Sequence, residues 1–122
     1  MSSTTRLVHK SAVPGHQVSE HQCLIETLED LRFELSLRPD TGPVAGLMAV
    51  AVRRLMADIY RLISREPGGR ALLRLPVGAE IELVQLHRAL DDAEAGLAAF
   101  RRAHSDPDSP REDGWLVHQP VS

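Results

Sequence analysis

The stretch LVQLHRALDDAEAGLAAF, residues 83–100, decides the fold of this chain. Its apolar side chains recur at alternating steps of three and four residues, at Leu83, Leu86, Leu90, Ala93, Leu97 and Phe100. This spacing places them on one face of a helix. Acidic residues precede the stretch and basic residues follow it, an order that the helix dipole favours. We therefore predict a helix over residues 79–104.

Two earlier segments show the same helical period. The first ends before Pro39 and carries a leucine stripe made of Leu24, Leu28, Leu31 and Leu35. Ser19 and Gln22 form a capping-box pattern, which predicts that this helix begins there. The second ends before Pro67 and carries an apolar stripe made of Met48, Val52, Leu55, Ile59 and Leu62. Its first half, residues 44–52, is apolar or small on every side, so we expect neighbouring helices to enclose it.

These segments predict an all-α fold, an up-down-up bundle of three helices of about 19, 24 and 26 residues. The helical bundle domain covers residues 16–104. Residues 1–15 precede it as an N-terminal arm, and residues 105–122 follow it as a C-terminal tail. Residues 70–78 fit either an extended stretch or a helical turn, and the two arms fit either short strands or docked peptides.

The second helix is more apolar than a three-helix bundle can cover. Self-association would bury its remaining face, so we predict a homodimer. Gly46 and Ala49 lie close to one line on this helix, and small residues allow two helix backbones to approach closely. We therefore place the dimer contact at these two residues. The alternative is that the arms, including Trp115 and Leu116, fold back over the same surface.

Composition bounds the class of protein. The 122 residues are 43% hydrophobic and 25% charged, a balance typical of one globular domain. The net charge of −3 gives no general attraction to nucleic acid, and the one cysteine excludes internal disulfides. The longest apolar run is too short to cross a bilayer, and residues 1–15 lack the apolar core of a signal peptide. Lys10 is the sole lysine beside many arginines, a bias typical of proteins from GC-rich bacterial genomes. We expect a cytoplasmic bacterial protein without a cofactor.

Charge is segregated along the chain. Residues 16–34 and 75–100 each carry five acidic residues against one Arg, whereas residues 53–74 carry six Arg against two acidic residues. Because Arg binds carboxylates and phosphates through paired hydrogen bonds, the basic segment is a candidate site for an acidic partner. Its candidate residues are Arg54, Arg61, Arg65, Arg70 and Arg74. The alternative is that neighbouring helices exchange surface ion pairs, and Asp58 would neutralise part of the basic charge.

Catalytic and metal-binding patterns are weak. Near the start of the first helix, His16, Glu20, His21 and Cys23 lie close together, but their spacing does not match a zinc site, and we predict no metal. We expect His21 to be partly buried and Cys23 to be a small buried hydrophobe. Sequence neighbours such as Asp91 and Asp92 point about 100° apart on a helix, so they cannot share a proton as a catalytic pair does.

These patterns favour a non-catalytic interaction or regulatory protein that binds a protein partner through the Arg face of the second helix. The Trp115 segment would serve as a docking peptide. The alternative is a small helical enzyme or a ligand-binding accessory protein of a biosynthetic pathway, with an apolar pocket between helices two and three. Its candidate polar groups are Tyr60, His87 and Arg54. A cavity of about 300 Å³ or more with converging polar groups would favour that alternative.

Overall fold

The computed structural model describes residues 10–39, 41–64 and 80–118. Its three helices are α1 (Gly15–Ser36), α2 (Gly46–Ile63) and α3 (Leu83–Ala103). Within the described ranges, β pairing is confined to isolated bridges. The prediction of an all-α fold is therefore confirmed, and the prediction for residues 70–78 lies outside the described residues.

Two helices begin at other residues than local signals predicted. α1 begins at Gly15, before the expected cap at Ser19. α3 begins only at Leu83, because Ile81 exchanges two backbone hydrogen bonds with Val44, of 2.7 and 2.8 Å. A residue whose N–H and C=O are both engaged in an extended bridge cannot contribute them to a helix. The chain before α3 is thus fixed by a distant partner.

Each helix buries the stripe that its apolar period predicted. These stripes meet in one aliphatic core, to which α3 contributes the most deeply buried side chains. The buried helical residues are His21, Leu24, Leu28 and Leu31 of α1, Ala49, Val52, Leu55, Met56, Ile59, Leu62 and Ile63 of α2, and Leu86, Ala89, Leu90, Ala93, Leu97 and Phe100 of α3. Three end residues of the predicted stripes, Leu35, Met48 and Leu83, are only partly buried. Burial of apolar area is the main force that holds such helices together, at about 25 cal/mol per Å².

α2 and α3 run in the same direction. The bridge between Val44 and Ile81 places the starts of both helices side by side. At the other end, Ile63 lies against Gly96, and a Cβ built on Gly96 would lie 2.5 Å from the Ile63 Cδ1. The start of α2 therefore lies beside the start of α3, and the end of α2 lies beside the second half of α3.

α1 runs antiparallel to α3. Near the start of α1, His21 Nε2 lies 2.8 Å from the carbonyl oxygen of Leu97, towards the end of α3. Farther along α1, the Arg32 guanidinium pairs with Asp91 at 2.8 Å and with Glu94 at 3.4 Å, in the middle of α3. The bundle is therefore ordered up-down-down.

The predicted up-down-up order is wrong, and the length of the connection explains why. Short loops force sequential helices to be antiparallel. The chain between α2 and α3 spans residues 64–82, whose contour at about 3.3 Å per residue exceeds the roughly 27 Å length of α2. A connection of this length allows the next helix to start at either end.

The described parts of both arms pack at the end of the bundle where α1 begins and α3 ends. Val13 donates its N–H to the Leu116 carbonyl at 2.9 Å and accepts from the His118 N–H at 3.0 Å. Ser105 and Trp115 form an antiparallel bridge beside this pair. Backbone hydrogen bonds thus join the described parts of the two arms. These parts pair in an extended conformation through isolated bridges, and not as strands of a sheet.

Candidate protein-binding surface

The side of α2 that points away from the core carries apolar and basic residues together. Leu47 is 88% exposed and Val50 is 62% exposed, and Arg54 and Arg61 are exposed farther along the helix. With Ala57 these residues are spaced by three or four positions, which aligns them in one stripe. We call this stripe, made of Leu47, Val50, Arg54, Ala57 and Arg61, the outer face of α2.

The exposure of Leu47 and Val50 corrects an expectation. The sequence predicted that residues 44–52 would be enclosed on every side, but among the described residues only one side of this segment is covered. Val44 and Val52 are buried, as expected. The helices pack on the stripe of larger side chains, and the opposite side remains at the surface. Two large apolar side chains in the open, one turn apart, are the functional signal that the sequence pattern missed.

Internal pairing reduces the basic charge of the outer face only in part. Arg61 Nη2 lies 3.3 Å from Asp58 Oδ1, as the sequence indicated, yet 72% of the Arg61 side chain is exposed. An exposed ion pair of this kind contributes about 0–1 kcal/mol. Its exchange for a partner carboxylate therefore costs little, and Arg54 and Arg61 can both face an incoming acidic group.

The structure does not describe the other arginines predicted for the basic surface. Arg65, Arg70 and Arg74 lie outside the described residues. Their part in the basic surface remains a prediction.

Trp115 lies in the core and not on a docking surface. Its indole is 3% exposed and contacts three side chains of its own chain. The centroid of its ring system lies 5.0 Å from that of His21 and 6.0 Å from that of Phe100, and the Arg101 guanidinium carbon lies 4.6 Å from its centroid. We therefore exclude Trp115 from the candidate surface. It anchors the C-terminal segment against α1 and α3, and not over the second helix as the fold-back alternative expected.

His21 is the most enclosed polar group of this aromatic cluster. The residue is 5% exposed, which confirms its predicted burial, and its ring stacks on Phe100 with centroids 5.7 Å apart. Because a carbonyl only accepts, the imidazole Nε2–H donates the hydrogen bond to Leu97. Burial lowers the pKa of His21 below 6.5, the hydrogen bond to Leu97 raises it in part, and the nearby positive charge of Arg101 lowers it further.

The lowered pKa makes stability depend on pH. As pH falls below about 6.5, His21 takes up a proton in the unfolded chain before it does so in the folded chain. The contribution of His21 to the free energy of unfolding is therefore complete above that pH. Below that pH the free energy of unfolding decreases, by at most about 1.4 kcal/mol per pH unit. Urea unfolding at about pH 7.5 and about pH 5.5 measures this loss. His21→Gln should remove much of it, whereas the matched change at the exposed His16 should not. An unchanged pH dependence in His21→Gln would contradict the assignment.

The two residues of the predicted dimer contact, Gly46 and Ala49, are not both exposed. Ala49 is buried in the core of its own chain, so it is not available to a second copy. Gly46 is exposed and has a φ of +62°, a left-handed conformation that glycine adopts without strain. No atom lies within 4 Å of a Cβ built on Gly46. This glycine serves the turn into α2, and its part in a dimer contact stays a prediction.

The groups expected for an enzyme or a metal site are not gathered. Tyr60, His87 and Arg54 are all at the surface, and none lines either of two clefts of about 240 and 270 Å³. The larger cleft is lined by His16, Gln17, Glu20, Arg61 and Leu62. Cys23 is exposed, so its predicted burial is wrong, because it lies about 100° around the helix from Leu24 of the leucine stripe. Among the residues that the structure describes, no three His, Cys, Asp or Glu side chains are placed to hold a metal ion.

Comparisons with protein-family models, with curated proteins and with solved structures found no match to this chain. In the described part of the chain, no helix combines the length and the apolar character that crossing a bilayer requires.

Proposed function

We propose that this chain is a non-catalytic interaction protein that binds an acidic, amphipathic segment of a protein partner on the outer face of α2. One observation carries the proposal: two large apolar side chains, Leu47 and Val50, are exposed in line with two exposed arginines, Arg54 and Arg61. Apolar and basic groups in one stripe match a segment that carries apolar and acidic groups in one stripe.

The energetics of the outer face suit a helical or extended peptide. Covering a side chain such as Leu47 contributes about 1.5–3 kcal/mol, which makes it a natural anchor. Arg54 and Arg61 would fix the orientation of the bound segment, because a guanidinium binds a carboxylate in a fixed planar geometry. The chain as a whole has a net charge of −3, so it has no general attraction for an acidic partner, and local basic groups such as Arg54 and Arg61 are needed to attract one.

The alternative of a small helical enzyme or ligand-binding accessory protein has less support. Its candidate groups, Tyr60, His87 and Arg54, are exposed on separate helices or helix faces and do not converge. Both clefts are below the roughly 300 Å³ that a small-molecule site typically offers.

Site-specific crosslinking in cells of the source organism tests the proposal. A photoreactive amino acid at Leu47 should form an adduct with a partner, whereas the same group at Val84, exposed on α3, should not. The double variant Arg54→Glu/Arg61→Glu should lower the Leu47 adduct at least about tenfold, because two attractive pairs become repulsive. Peptide mapping of the adduct should locate acidic and apolar residues in the partner.

The matched control is Arg102→Glu, which reverses an exposed arginine on α3 and should leave the adduct intact. Circular dichroism of each variant should show unchanged helicity. Equal adduct yields from wild type and the double variant would reject the outer face of α2 as the binding surface.

A further inference from the structure

In the part of the chain that the structure describes, no other element covers the outward side of α1 either. Phe33 is 64% exposed and Leu37, the C-cap residue that follows α1, is 65% exposed, although both are large and apolar. Glu26 and Asp30 are exposed earlier on the same helix. The positions of these four residues differ by three or four, so they form one stripe, which we call the outer face of α1.

The two outer faces have opposite charge and reversed order. Along the chain, the outer face of α1 runs from acidic residues to apolar ones, Glu26 and Asp30 before Phe33 and Leu37. The outer face of α2 runs from apolar residues to basic ones. An antiparallel pairing of the two therefore sets apolar against apolar and acidic against basic. A parallel pairing would set charges against apolar side chains and leave them without partners.

The spacing along the two helices supports this register. The outer face of α2 advances by steps of three and four, and the outer face of α1 does the same in reverse. With Leu37 opposite Leu47, Phe33 falls opposite Val50 and Asp30 falls opposite Arg54. One alignment thus satisfies three successive pairs at the spacing that packed antiparallel helices use.

The two faces cannot meet within one chain, because each lies on the side of its helix that points away from the shared core. We propose that the occupant of the outer face of α2 is α1 of a second copy of this chain, packed antiparallel. This inference rests on the proposed function, since it names the acidic, amphipathic segment that the outer face of α2 binds. It also moves the predicted self-association away from Gly46 and Ala49, to side chains that are exposed.

Sedimentation equilibrium of the full chain tests the inference. The mass should rise with concentration above the 13.4 kDa of one chain. Arg54→Glu alone and Asp30→Arg alone should each weaken association at least about tenfold, because each sets like charges against each other. The double variant Arg54→Glu/Asp30→Arg exchanges the two charges, so it should recover most of the lost affinity.

Two controls keep the result specific. Arg102→Glu changes the net charge as Arg54→Glu does, but on α3, and should leave association unchanged. Phe33→Ser should weaken association without a change in helicity, because Phe33 makes no part of the core.

A wild-type chain that stays monomeric at the highest concentration, or a double variant no better than the single ones, overturns the inference. A monomer that still forms the Leu47 adduct with another protein in cells would retain the proposed function and reject only the second copy as occupant. Self-association that leaves no adduct at Leu47 would place the contact on another surface and would overturn the inference together with the proposed role of the outer face of α2.

Discussion

Trp115→Ala is expected to lower the free energy of unfolding by about 3–5 kcal/mol, the largest single effect in this chain. The indole fills the space between α1 and the end of α3, where it contacts His21, Phe100 and Arg101. Truncation removes these contacts and leaves a cavity that rigid helix ends cannot close. It also detaches the anchor that holds the C-terminal segment beside the N-terminal arm.

Urea unfolding followed by circular dichroism measures the effect. Val84→Ala is the control, since it truncates an exposed apolar side chain on α3 and should change stability by no more than about 0.5 kcal/mol. A loss below about 1 kcal/mol in Trp115→Ala would show that the tail can detach while the three helices keep their packing. That outcome would contradict a core role for Trp115.

The helices were predictable because their cause is local. Apolar residues at three- and four-residue steps define a face, and each predicted stripe is the buried one in the structure. The helix ends were less predictable, because a partner far along the chain decides them. Ile81 is not part of α3 because its backbone is hydrogen-bonded to Val44. The residues around Ile81 give no local signal that predicts this partner. Local capping signals compete with such bridges and lose to them.

The candidate surface was predictable in its charge but not in its apolar part. The spacing of Arg54 and Arg61 on a helix is enough to put them on one face. The exposure of Leu47 and Val50 depends on which side of α2 meets α1 and α3, and a segment that is apolar on every side carries no signal for that choice. The opposite error concerns Trp115, an apolar residue in a polar tail whose contacts arise only after the helices assemble.

The second large effect concerns Gly96 of α3, which packs against Ile63 of α2. Gly96→Leu is expected to lower the free energy of unfolding by about 1–3 kcal/mol, although leucine favours helices more than glycine does. A Cβ at this position would lie 2.5 Å from Ile63 Cδ1. Ile63 is itself buried, so its δ-methyl group has little space into which it can move. Overpacking therefore outweighs the gain in helix propensity.

A double-mutant cycle identifies Ile63 as the cause. Ile63→Val removes the δ-methyl group, at a cost of about 0.5–1.5 kcal/mol by itself. In that background Gly96→Ala should be less unfavourable, or more favourable, than in the wild type by about 1 kcal/mol. Ala98→Leu, at an exposed position of the same helix, is the control for helix propensity alone and should change stability little.

The same cycle tests the direction of the helices. Gly96 lies in the second half of α3 and Ile63 is the last residue of α2, so the two can touch only if both helices start at the same end. In an up-down-up bundle, Gly96 would face the first half of α2, where Ala49 and Val52 lie. Coupling of Gly96 to Ile63→Val therefore supports the up-down-down order, and additive effects of the two changes would contradict it.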